Sequence, residues 1–131
     1  MHITGIVITG KGEGHAYMSR PGYRQQFQQH FGMQPFPGTL NLKLEGENIE
    51  RFKALQEQSG IHLSGFREDN QTYGAVRCYP CQVNDAVQGV IVIPDKSVYR
   101  EVMEVVSDVC LREALNLRDG DSVTVEIPAD G

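Results

Sequence analysis

The chain has 131 residues, 40% of them hydrophobic, with 12 Lys and Arg against 17 Asp and Glu. That length fits one domain, residues 1–131 with 128–131 as a flexible tail, whose core needs no metal or disulfide staple. A formal charge of −5 argues against a nucleic-acid partner, no apolar run approaches the ~18 residues of a membrane span, and an odd count of three cysteines with no signal pattern in MHITGIVITG points to a cytoplasmic protein without disulfides.

In chain order, Ile3 to Thr9 reads as a strand that runs into the loop Gly10-Lys11-Gly12-Glu13-Gly14. Pro21-Gly22 marks a turn. Tyr23, Phe27 and Phe31 follow at helical spacing, with a Gln-rich face left to solvent and Gly32 as the stop. Pro35-Phe36-Pro37-Gly38 is a stiff entry to Thr39–Leu44, which alternates strictly. Leu40, Leu42 and Leu44 take one face, and Thr39, Asn41 and Lys43 the other. Residues 48–58 read as a helix with Ile49, Phe52 and Leu55 inward. Strands are expected over 61–66, 72–79, 81–84, 87–93 and 101–107, then a short helix over 111–117, a tight turn at Asp119-Gly120-Asp121 and a last strand over 122–127. Many short strands and few helices indicate a mainly β fold, a small barrel.

Charge is unevenly placed along this order. Residues 1–44 carry Lys11, Arg20, Arg24 and Lys43 against Glu13 alone, a net of +3, and hold seven of the 14 glycines, whereas the remainder is at −8. Gly5 to Gly12 nearly match the P-loop spacing GxxxxGK[ST], but Gly12 stands where the metal-touching hydroxyl belongs and the spacer is an apolar strand. The surviving feature is a strand followed by a glycine-rich turn with a lysine, able to aim backbone N–H groups at a phosphate or to form a plain hairpin. Thr39 and Asn41 share a face, ~6.5–7 Å apart along the strand, and suit either two neutral ligands of a divalent cation or an ordinary polar strand face. Cys78-Tyr-Pro-Cys81 has no second ligand pair for zinc and lies in a strand. Residues three apart point to opposite faces there unless Pro80 introduces a bulge, so two small buried side chains are the better reading. Arg112 is either a phosphate contact or one half of a surface charge pair at a helix start.

The segments GKGEGHAYMS, PGYRQQF, PFPGTLNLKL, VIVIPDKS and LREALNLRDGDSV, in that order, make the chain resemble the archaeal-type CTP-dependent riboflavin kinases from about residue 3 to 127. The resemblance implies a closed six-stranded cradle-loop β-barrel like that of riboflavin synthase. It implies transfer of the γ-phosphoryl of CTP to the 5′-hydroxyl of riboflavin, giving FMN and CDP, with one Mg²⁺ per site. By position, Gly10, Lys11, Gly12, Glu13, Gly14, His15 and Ala16 would hold the nucleotide together with Val106, Ser107, Asp108 and Val109. Thr39 and Asn41 would hold the metal, and Ser97 and Glu101 the flavin, with Glu101 also the candidate base. The resemblance leads one to expect Thr where Ser97 stands. Two other classes compete. A flavin- or nucleotide-binding module without catalysis would not need the Thr39–Asn41 pair, and a barrel-type transcriptional regulator fits poorly with the acidic remainder of the chain.

Overall fold

The computed structural model describes residues 1–9, 20–95 and 101–128. The elements are β1 (His2–Ile8), α1 (Pro21–Phe31), β2 (Leu40–Lys43), α2 (Glu47–Gln56), β3 (Ile61–Leu63), β4 (Phe66–Glu68), β5 (Gln71–Tyr73), β6 (Val76–Val83), β7 (Val87–Pro94), β8 (Val102–Val106), α3 (Leu111–Ala114) and β9 (Ser122–Glu126). Six strands, in the order β6-β7-β8-β2-β1-β9, form an antiparallel sheet that closes because β9 pairs with both β1 and β6. The fold is therefore the mainly β closed barrel expected. Among the described residues no helix is long and apolar enough to cross a membrane.

Strand alternation produces two cores. Ile3 and Val7, Leu40 and Leu42, Tyr79 to Val83 at alternate positions, Ile91 and Ile93, Met103 and Val105, and Val123 and Val125 fill the barrel, with Phe52 and Leu55 of α2 added to it. The intervening residues point outward. Over part of β6, β7 and β8 these are apolar, and Val76, Cys78, Val90, Val92 and Val106 are covered by Tyr23 and Phe27 of α1. The rest of the outer face is polar or half-buried, and that asymmetry leaves part of the wall available to a ligand.

Several elements differ from expectation for local reasons. Pro21-Gly22 is the first turn of α1 rather than a separate turn, since proline suits a first helical position. Arg20 offers no side-chain cap, and the Gly22 N–H donates instead to Glu68 Oε2 at 2.8 Å. Gly32, at φ 66°, ends the helix in the left-handed region as expected. The strand expected over 61–66 breaks into β3 and β4, because the Gln26 side chain accepts from the Ser64 N–H at 2.6 Å and donates to the Ser64 carbonyl at 3.0 Å, replacing a strand neighbour. Gln26 therefore does not belong to a purely solvated face. The strands expected over 72–79 and 81–84 resolve into a short β5 and one long β6 that runs through Pro80 without a bulge. Residues 79–81 face the gap between the segments of β6 paired with β3 and with β9, where a residue lacking an N–H is tolerated. The helix near 111 stops at Ala114, and Asn116 lies at φ 53°.

Unbroken alternation through β6 sends Cys78 to the outer cluster and Cys81 into the barrel. Both are buried free thiols, and burial pushes each thiol up to about 12. They are packing residues, as the spacing indicated.

Candidate active site on the outer wall of the barrel

β2 carries the polar face. Leu40 and Leu42 are drawn into the barrel, so Asn41 must point outward, and Thr39 shares its side. The Thr39 hydroxyl donates to Asn41 Oδ1 at 3.3 Å. Two neutral oxygens at that separation approach the ~2.9–3.0 Å that adjacent ligands of an octahedral cation with ~2.1 Å bonds would show. The pair thus fits a hard divalent ion that takes its other ligands from phosphate and water. Among the described residues no group of three His, Cys, Asp or Glu is arranged to hold a metal, so a site here would depend on these neutral oxygens.

Register decides what stands beside Asn41. On one side its ladder partner is Ile8, at the end of β1, and on the other it is Glu104 of β8. Directly opposed residues of an antiparallel pair share a face, with Cβ atoms ~4.5–5.5 Å apart. Glu104 is therefore the carboxylate next to Asn41, half-buried and bordering Val92 of the apolar cluster beneath α1. Glu101 lies elsewhere. Its carbonyl accepts from Leu44 N–H at 2.6 Å at the opposite end of β2, and its strand parity is not that of Asn41 and Glu104. Lys43 is exposed on the Asn41 face, one outward step along β2.

Where β2 begins and β8 ends, a cavity of about 70 Å³ opens at the rim of the barrel, lined by Phe36, Gly38, Thr39, Leu40, Val105, Ser107 and the run Val109 to Arg112. Ser107 is buried, donating from Oγ to the Gln88 carbonyl at 2.8 Å, while its own carbonyl accepts from Phe36 N–H at 2.7 Å. Of the expected nucleotide segment, Ser107 and Val109 line this cavity, Asp108 is exposed, and Val106 turns away into the cluster under α1. Cys110, Leu111 and Arg112 line it as well, three residues beyond that segment.

Arg112 does enter a surface charge pair, with Asp119 across the turn that precedes β9. Its Nη2 donates to the Ile8 carbonyl at 3.1 Å and to Asp119 Oδ1 at 2.7 Å. Asp119 in turn accepts from Thr9 Oγ1 at 2.6 Å. The Thr9 hydroxyl and the Arg112 guanidinium hold the Asp119 carboxyl below the usual carboxylate range. Because Ile8 is the ladder partner of Asn41, this puts the guanidinium beside the Thr39–Asn41 face. Gly10 to Ala16 and Ser97 lie outside the described residues. Thr9, the last described residue before the first of these stretches, sits at this same corner.

Sequence reasoning missed Glu104 and the wall from Cys110 to Leu111. The signal for Glu104 was the strand itself. Outward parity on β8 selects 102, 104 and 106, and only 104 is ionisable.

The arrangement pairs neutral oxygens suited to a divalent ion with a carboxylate, a guanidinium and a rim cavity. Comparison of the chain with known proteins matches it to a family. The family model CTP-dep_RFKase, described as domain of unknown function DUF120, matches residues 7–127. The chain is 43% identical over 127 residues to a protein named riboflavin kinase from Thermoplasma volcanium, covering 97% of this chain and 57% of that protein. Proteins of the same name from Methanoregula boonei and Archaeoglobus fulgidus are 45% and 44% identical over 98% and 95% of this chain, which spans 58% and 54% of their lengths. The chain thus covers little more than half the length of the curated relatives it matches. It belongs to the archaeal riboflavin kinase family that this model describes.

Proposed function

We propose that the chain is a CTP-dependent riboflavin kinase, moving the γ-phosphoryl of CTP to the 5′-hydroxyl of riboflavin to give FMN and CDP. The observation that carries the reading is the apposition of Thr39, Asn41 and Glu104 at the strand end that leads into the glycine-rich segment. The family's name and the names of its members support the kinase and the nucleotide.

In this reading the residues work by position and charge, which phosphoryl transfer chiefly requires. Arg112 presents donors to the phosphates from the rim cavity, and Lys43 adds positive charge along the same face. Backbone N–H groups of Gly10 to Gly14, with Lys11, His15 and Ala16, complete the nucleotide's cradle. Thr39 Oγ1 and Asn41 Oδ1 would hold Mg²⁺, which when bound supplies charge neutralisation for the triphosphate. Both ligands are neutral, so they leave that charge undiminished. Glu104 faces the acceptor hydroxyl and accepts its hydrogen bond, with Ser97 a further flavin contact. The ladder register supports Glu104 over Glu101 for this role.

Incubation with riboflavin, Mg²⁺ and each of CTP, ATP, GTP and UTP tests the reading. FMN is expected with CTP. No FMN with any nucleotide would overturn the kinase, and a strong ATP preference would overturn the cytidine choice. Tight flavin binding without turnover would favour a binding module.

A further inference from the structure

Exposed ion pairs are usually worth little, yet the two carboxylate oxygens of Asp119 are divided between two residues of the candidate site. Oδ2 accepts from Thr9 and Oδ1 from Arg112. The turn that presents Asp119 is itself fastened to β1. Gly120 N–H donates to the Val7 carbonyl at 2.8 Å, Val7 N–H to the Asp121 carbonyl at 2.9 Å, and Arg118 N–H to Asp121 Oδ2 at 2.8 Å. The turn that carries the carboxylate is therefore anchored independently of Thr9 and Arg112. Both Nη2 hydrogens of Arg112 are used, on Asp119 and on the Ile8 carbonyl. Its Nε and Nη1 donors have no partner among the described residues, and the side chain lines the cavity with Thr39. A guanidinium gripped at one nitrogen keeps a planar set of donors for an oxyanion.

We propose that Asp119 is a positioning residue for nucleotide phosphate: it holds Arg112 at the angle that turns the remaining donors to the cavity, and it fixes Thr9 at the end of β1. The proposal rests on the reading that this cavity receives a nucleotide. Asp119 touches neither substrate. It acts through Arg112, and that distinguishes it from a residue that merely supports the fold.

The test is a double-mutant cycle on the full chain, with steady-state kinetics and calorimetric CTP binding for Asp119→Ala, Arg112→Ala and the double variant. Asp119→Ala is expected to raise the KM for CTP and its Kd about tenfold, with the KM for riboflavin within about twofold of the starting value. In the Arg112→Ala background the same change is expected to add less than about twofold. The isosteric Asp119→Asn keeps an acceptor for Thr9 and loses the ion pair. It carries the test if alanine is not tolerated, with a KM rise of at least about threefold expected, and Asp119→Glu should restore part of the loss. A wild-type KM in Asp119→Asn, or Asp119 and Arg112 effects that multiply independently, would overturn the proposal. Failure of the unaltered protein to bind CTP would overturn the nucleotide reading and the proposal with it, and this is seen without any substitution.

Discussion

Asn41 and Glu104 are directly opposed across the β2–β8 ladder, and both side chains leave the barrel on the same face. The pairing places an amide oxygen suited to a cation and a carboxylate suited to a hydroxyl within one residue's width. It also sets Glu104 apart from Glu101, which precedes β8. Glu104→Gln should lower kcat ~10²-fold or more, the scale of a lost acid–base or acceptor-gripping group. Glu101→Gln should stay within about twofold, because its backbone holds Leu44 at the other end of β2. Single-turnover FMN formation measures both. Equal effects would remove Glu104 from the acceptor site.

The proposed metal ligation by Thr39 and Asn41 predicts a different signature. Asn41→Ala removes an outward half-buried amide, so the cost in stability should remain within about 1 kcal/mol. Activity should instead become strongly dependent on free Mg²⁺, with the half-saturating concentration rising about tenfold or more. Titrating Mg²⁺ at saturating CTP and riboflavin checks this. An unchanged titration curve would reject Asn41 as a ligand.

Much of this site was legible before the fold was known. Strict alternation in Thr39–Leu44 reports burial on one side, so the outward Thr39–Asn41 pair follows from periodicity alone. What stands beside that pair does not. Register between β2 and β8 is set by barrel closure over distant segments, and it decides that residue 104, not 101, meets Asn41. The partners of Arg112 were equally hidden, since Ile8 lies 104 residues away in sequence. Local chemistry explains the boundary errors. The β4–β5 turn was marked by Asp69-Asn70, which take φ 50° and 63°, the left-handed pair of a two-residue hairpin. The break at Ser64 had no local mark, because a glutamine 38 residues distant causes it.

Asp119 gives a pH prediction with a definite sign. Its carboxyl is held below the usual range by Thr9 and Arg112, so the folded state favours the ionised form. Such a group stabilises the fold above its unfolded pKa of ~3.9, and the contribution disappears as pH falls through the lower folded value. Any melting-temperature gap between the unaltered protein and Asp119→Asn should therefore be present at neutral pH and close in strong acid. A gap that widens on acidification would contradict the assigned interactions.

The cysteines titrate in the opposite direction. Cys78 and Cys81 are pushed up to about 12 by burial, so the fold favours their neutral forms. The unfolded chain begins to ionise them near ~8.5, and stability should fall above that pH by up to about 1.4 kcal/mol per pH unit for each thiol. Native labelling should be confined to the half-exposed Cys110, with the other two reacting only on unfolding. Counting labelled thiols by mass before and after denaturation checks this, and rapid labelling of all three in the native state would contradict it.

The barrel interior predicts the cost of a single methyl. Gly5 lies on β1 where β2 passes close. A Cβ there would sit 2.8 Å from Leu42 Cβ, 3.0 Å from Leu44 Cδ2 and 3.1 Å from the Lys43 carbonyl. Two of those three atoms are close to or part of the β2 backbone, so rotamer changes cannot relieve the contact. Strands β1 and β2 would have to separate, and both bound the site, through Ile8 on one and Asn41 on the other. Gly5→Ala should therefore cost ~1–3 kcal/mol, the range for overpacking a filled core. Unlike Asn41→Ala, it should lower stability and activity together. Urea unfolding alongside FMN formation separates the two cases, and a Gly5→Ala protein of unchanged stability would show that β1 and β2 are not packed as closely as this contact requires.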